Sequence, residues 1–192
     1  AQTKNPHAVQ PHLRKCFDAV ARIEFGTKDG DSKGEKVQTN DILAMISPEG
    51  EKILFGKGLK ARGSVEDWLS KVEDAMFSAV KRCMKYAHQS FASMDRIAWL
   101  KENANQVVLT VSQCHWTNAV HDILDSDDDD ATKLKNLKAF DDLSMKNLGD
   151  LAAIARTKIS SLFRKVLCAL ITVDVHAKDT IANLLENNVV SR

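Results

Sequence analysis

From residue 65 onward, apolar residues return every three to four positions. Val65, Trp68, Leu69, Val72, Met76, Ala79, Val80, Cys83, Ala87 and Phe91 form the first such series. That spacing is the period of one helical face, and it predicts a helix of seven turns, roughly 40 Å long at ~1.5 Å per residue. Ser64, followed by Val65, Glu66 and Asp67, supplies a capping hydroxyl and two carboxylates for the positive end of the helix dipole. A second helical region covers 97–124, with Val107, Val108, Val111, Cys114, His115, Ala119 and Ile123 on its apolar face. A break is predicted near Asn103, Ala104 and Asn105, and the acidic cluster 125–130 ends the region. Leu134, Leu137 and Leu148 then lead into a last helix from about 151 to 187. Its stripe of Leu151, Ala155, Leu162, Val166, Val173, Ala177 and Leu184 runs straight through the β-branched stretch VLCALITVDV, which favours helix over a buried strand.

The first third is built differently. Seven of the eight glycines lie between Gly26 and Gly63, and all three prolines (Pro6, Pro11, Pro48) precede residue 64. Backbone breakers are thus confined to this part. Residues 12–25 read as a short helix started by Pro11, with Leu13, Phe17, Val20 and Ala21 on one side. Residues 26–40 are polar and without period, which predicts a flexible loop. Residues 42–46 and 52–55 read as a β-hairpin joined by Ser47, Pro48, Glu49 and Gly50, with Pro48 and Gly50 where a type I turn favours them. The expected fold is mainly α, an elongated helical bundle or rod with one small β-hairpin. Residues 1–63 would hold the short helix, loop and hairpin, and 64–192 the long-helix bundle.

Composition narrows the functional classes. The 192 residues carry 27 Lys and Arg against 26 Asp and Glu, a net charge of +1. A generally basic nucleic-acid binder and an acidic disordered tail are both excluded. No apolar stretch approaches the ~20 residues that a membrane-spanning helix needs. The opening AQTKNPHAVQ lacks the charged-then-apolar pattern of a secretory signal and begins without Met, so a piece of a longer chain is expected. Cys16, Cys83, Cys114 and Cys168 are far apart, three of them at apolar positions of helical stripes. They read as free thiols in a reducing compartment.

The templates for chemistry fail one by one. The nearest approach to a phosphate-binding loop, Gly50 to Gly56-Lys57-Gly58, has the wrong spacing and no Ser or Thr for Mg²⁺. Against the calcium-loop template, Asp29, Asp31 and Gly34 match, but Lys33 and Asn40 take ligand positions. From Asp125, the residues Asp127 and Asp129 match, but Asp130 replaces the glycine and Asn136 the closing glutamate. The six histidines (His7, His12, His88, His115, His121, His176) form no HExxH and have no cysteines at zinc spacing. No Ser, His and acid stand in a nucleophile context. Neither catalytic, cofactor-binding nor metal-binding residues are expected. A small basic stretch of Lys52, Lys57, Lys60 and Arg62 follows the hairpin; it is either a solvated loop or a contact for an acidic surface.

The string DILAMISPEGEKILFGKGLKARGSVEDWLSKVEDAMFSAVKRCMKYA, residues 41–87, resembles the dynein heavy chains in the region just N-terminal to their motor ring, the linker. PHLRKCFDAVARIEF (11–25), NQVVLTVSQCHW (105–116) and RKVLCALITVDVHAKDTIANLL (164–185) agree in the same order. Together these cover most of the chain, with divergence in 26–40 and 125–150. The combination of the EGEK turn, the KARG-VEDWL helix start and the VLCALITVDVHA run is specific, and its flavour resembles the axonemal chains of cilia and flagella.

The resemblance implies a mechanical role. In this family the linker is an arched, mostly helical rod across a ring of six AAA+ modules, and its swing during the ATP cycle is the power stroke. ATP and Mg²⁺ would belong to the ring of the parent chain, and this segment would not itself be an enzyme. The implied partners are that ring, and through the parent complex the dynein intermediate and light chains and microtubules; neither nucleic acid nor membrane is expected. The implied location is the cytoskeleton, in a ciliary or flagellar axoneme. Expected ring contacts are Ser47, Pro48, Glu49 and Gly50 at the hairpin tip, with Lys57 and Lys60. Expected hinge residues are Gly56, Gly58 and Gly63 within 56–63, with the acidic cluster 125–130 as a second joint. The competing reading is a free-standing helical adaptor that holds partners on its apolar faces.

Overall fold

A computed structural model describes residues 5–29 and 36–191. The chain divides into two compact units, the first running to Gln89 and the second starting at Ser90. The boundary expected after residue 63 therefore falls inside the first unit, because the next helix packs onto the sheet.

In the first unit a 3-10 helix, Pro6–His12, continues into a single α-turn, α1 (Leu13–Cys16). Three antiparallel strands follow: β1 (Arg22–Asp29), β2 (Lys36–Ile46) and β3 (Lys52–Lys60), in the order β1-β2-β3. The hairpin between β2 and β3 forms as expected. The Gly50 N–H donates to the Ser47 carbonyl at 3.0 Å, and Ser47 Oγ accepts from the N–H groups of Glu49 and Glu51. Gly50 has φ +92°, a region glycine enters without steric cost.

Strand β1 replaces the second half of the helix expected over 12–25. Phe17 is extended and Ala19 has φ +59°, so the helix stops at Cys16. Arg22, Ile23, Glu24 and Phe25 then alternate out and in, with Ile23 and Phe25 buried, a period of two that the short window disguised. The loop expected over 26–40 is also largely strand. Of its described residues, 26–29 and 36–40, only Gly26 is buried and Thr39 half-buried, and the rest are exposed, so no apolar alternation marks them. Residues 30–35, with Asp31, Lys33 and Gly34 of the calcium comparison, lie outside the described residues.

Helix α2 (Val65–Ser90) buries Trp68, Val72, Met76, Ala79 and Ala87, the stripe that the spacing predicts. The first four join one core with Ile23 and Phe25 of β1, Ile42 and Met45 of β2, and Phe55 of β3. Ser64 Oγ caps the helix by accepting from the Asp67 N–H at 3.2 Å. Burial of this face, at about 25 cal/mol per Å² of apolar surface, is what holds helix to sheet.

The second unit is helical: α3 (Arg96–Glu102), α4 (Asn105–Leu124), α5 (Asp130–Ala155) and α6 (Ser161–Glu186). The break at 103–104 stands where the sequence predicts it. The long helix expected over 151–187 is instead the end of α5 and all of α6, interrupted at 156–160. Arg156 and Thr157 close α5 with N–H bonds to the Ala153 and Ile154 carbonyls, and Ser160 Oγ starts α6 by accepting from the Phe163 N–H. The stretch VLCALITVDV is helical, and its Val166, Leu167 and Leu170 are buried. Val120, Leu124, Leu137 and Ile181 form a core shared by α4, α5 and α6. The cysteines are less buried than their stripes imply: Cys16, Cys114 and Cys168 are exposed and Cys83 is half-buried.

Candidate functional site

The basic stretch after the hairpin resolves into spent and unspent charges. Lys52 pairs with Glu24 of β1 at 2.5 Å, and Lys60 pairs with Asp41 of β2 at 3.2 Å. The Thr39 hydroxyl first, and Lys60 second, hold the Asp41 carboxyl below its ordinary value. Lys57 has no acidic partner among the described residues. It lies in a bulge: pairing passes from Ile42 with Leu59 to Ala44 with Leu54, so Phe55, Gly56, Lys57 and Gly58 all stand opposite Leu43.

The expected ring-contact and hinge residues do not come together in one place. Ser47, Pro48, Glu49 and Gly50 form the turn at one end of β2 and β3. Gly56, Lys57 and Gly58 lie mid-strand in the bulge, and Lys60 ends β3. Gly63 sits between β3 and α2 with φ +87°, a conformation that side-chain-bearing residues rarely adopt. In the 125–130 turn, Asp129 accepts from the Thr132 N–H to cap α5, and Lys133 Nζ donates to the Leu124 carbonyl at 3.0 Å.

Arg82 is the residue that sequence reasoning missed. Its Nη2 donates to the Leu54 carbonyl at 2.7 Å, tying α2 to β3. The guanidinium lies against Gly56: a Cβ there would meet Arg82 Nη1 at 2.5 Å and Cζ at 3.1 Å. Gly56 is therefore a place of close approach. Gly56→Ala is expected to push the guanidinium aside and cost about 0.5–1.5 kcal/mol, the worth of one such hydrogen bond. Arg82→Met should cost the same and the double variant no more; additive losses in urea denaturation would refute the shared contact. The carboxylate-free run from 75 to 89, where Lys81, Arg82 and Lys85 fall, marks a basic stretch in the sequence but not the tie to Leu54.

The second unit contains a cleft of about 420 Å³ walled by Phe91, Trp99, His115, Trp116, Phe140 and Leu143. Phe91 stacks on His115 at 3.9 Å, and Trp99 meets Phe91 edge-on at 5.0 Å. On its border Arg96 Nη2 bonds Asp174 Oδ2 at 2.8 Å. Burial raises the Asp174 carboxyl above its ordinary value, against the opposing pull of Arg96. Among the described residues, no group of three or more His, Cys, Asp or Glu could hold a metal ion, and no helix is long and apolar enough to cross a membrane.

Comparison with known proteins decides the family. Residues 1–87 match the family described as dynein heavy chain, N-terminal region 2. Over 98% of its length the chain is 46% identical to human dynein axonemal heavy chain 6. The chain belongs to the dynein heavy chain family. It is also 37% identical, over its whole length, to mouse dynein axonemal heavy chain 1. Over 99% of its length it is 35% identical to the dynein-1-beta heavy chain of the flagellar inner arm I1 complex of Chlamydomonas reinhardtii. This dynein segment spans only 4–5% of the length of these relatives.

Proposed function

We propose that the segment is part of the dynein linker, the lever that bends and straightens as the first AAA+ module of the parent chain goes through its ATP cycle. The carrying observation is the identity of 46% to an axonemal heavy chain, sustained over 98% of this chain. The parent is then an ATP-hydrolysing microtubule motor of a cilium or flagellum, and this segment its mechanical arm. The physics agrees with that role. A lever must resist bending, and helices such as α2, α5 and α6, each of 26 residues and packed along apolar stripes, do so. A lever must also bend at defined joints, for which 56–63 and 125–130 are the candidates.

The partner in this reading is the ring of the same heavy chain, met through the hairpin tip and the basic residues Lys57 and Lys60. Lys57 is the better position to test, because Lys60→Glu would set a second carboxylate against Asp41. Lys57→Glu in a complete motor is expected to cut microtubule-gliding velocity by about half or more, with the melting temperature of the segment unchanged. Wild-type velocity would sink the ring contact.

A further inference from the structure

We propose that Lys57, Lys81, Arg82 and Lys85 form a docking surface for an acidic protein segment, one that carries carboxylates around an apolar residue. The tie from Arg82 to the Leu54 carbonyl brings the second half of α2 against the β3 bulge, so Lys57 is next in chain to the glycine that the guanidinium covers. Lys85 lies one helical turn beyond Arg82, and Lys81 one turn before Lys85. All four side chains are exposed. None has an acidic partner among the described residues, whereas Lys52 and Lys60 of the same sheet do. Arg82 is bonded to a neutral carbonyl and keeps its full charge.

Like charges at i and i+4, such as Lys81 and Lys85, disfavour the helix that carries them. With no carboxylate in 75–89, nothing within that half of α2 offsets the repulsion, and a bound carboxylate would. The surroundings set the kind of partner. Phe77, one turn before Lys81 on α2, is 71% exposed, so apolar contact lies beside the cations. A nucleic-acid backbone is the weaker fit: binding of that kind draws on some 6–10 phosphate contacts, and this chain has four clustered cations and a net charge of only +1. The surface belongs to the first unit alone and does not depend on the lever reading.

The test is zero-length carbodiimide coupling of the chain to a synthetic peptide of glutamates flanking a leucine, with adducts mapped by mass spectrometry. Adducts at Lys57, Lys81 and Lys85 should exceed those at the equally exposed Lys15, Lys135 and Lys165 about fivefold. Lys57→Glu/Lys85→Glu should weaken peptide binding about tenfold at low salt, and Lys135→Glu less than twofold. Adducts spread evenly over the lysines would overturn the proposal. So would tighter binding of a single-stranded oligonucleotide of equal charge, which would make the patch a nucleic-acid site. Motility plays no part in this readout, so its failure and that of the lever reading are separate events.

Discussion

Trp68→Ala is expected to remove about 3–5 kcal/mol from the first unit, the range for deleting a fully buried aromatic side chain. Trp68 is 2% exposed and lies in the first turn of α2, in one core with Leu13, Ile23, Ile42 and Val72. It is where helix, sheet and N-terminal turn share side-chain contacts, so the cavity it leaves cannot close by the movement of one element. Since a whole domain is stable by only about 5–15 kcal/mol, the loss should be plain in urea denaturation followed by circular dichroism. Trp68→Phe should restore more than half of it. Phe77→Ala, on the same helix but 71% exposed, should change stability by less than about 0.5 kcal/mol. A loss below about 1 kcal/mol for Trp68→Ala would mean that α2 is not docked on the sheet.

Arg96→Met should cost the second unit about 2–3 kcal/mol at neutral pH. The side chains of Arg96 and Asp174 are 30% and 22% exposed. The pair thus stands between exposed ion pairs, worth about 0–1 kcal/mol, and fully buried ones, whose breaking costs about 3–5. Most of the loss comes from the Asp174 carboxylate left buried without its partner, so Arg96→Met/Asp174→Leu should recover most of it. The pH dependence follows from the raised Asp174 value. The folded state binds that proton more tightly than the unfolded state, so its contribution is full below the ordinary carboxylate value and is lost as pH rises through the raised one. Arg96→Met removes the opposing cation and should steepen that loss. Melts at pH 4 and pH 7 with equal deficits would show that Asp174 is not the source.

Where a helix buries one continuous face, the sequence was readable. Trp68, Val72, Met76 and Ala79 announced α2, and Asn103 and Ala104 announced the break before α4. Strand β1 was not readable, because Leu13, Phe17, Val20 and Ala21 satisfy a helical spacing by coincidence, while the backbone is already extended at Phe17 and takes a positive φ at Ala19. The joint at 156–160 was hidden in the opposite way. The stripe from Leu151 to Ala177 keeps helical arithmetic across a gap that Ser160 marks with one hydroxyl. Of the residues considered for the candidate site, the geometry of the Ser47–Gly50 turn was legible, because turn chemistry is local. The tie from Arg82 to Leu54 spans 28 positions, and the pairing of Arg96 with Asp174 spans 78. No short-range pattern encodes either.

The charges of α2 are sorted along its length. Residues 65–74 hold four carboxylates and one lysine, and 75–89 hold three cations and no carboxylate. The helix is thereby an electric dipole of side chains, set against the dipole of its own backbone, with poles roughly 20 Å apart at ~1.5 Å per residue. At an ionic strength of 0.1 M, fields fade over about 10 Å, so a molecule near one pole hardly senses the other. In dilute salt both poles act together, and α2 would turn an approaching charged body end for end before contact. Ionic strength thus sets whether this helix merely attracts a partner or also orients it.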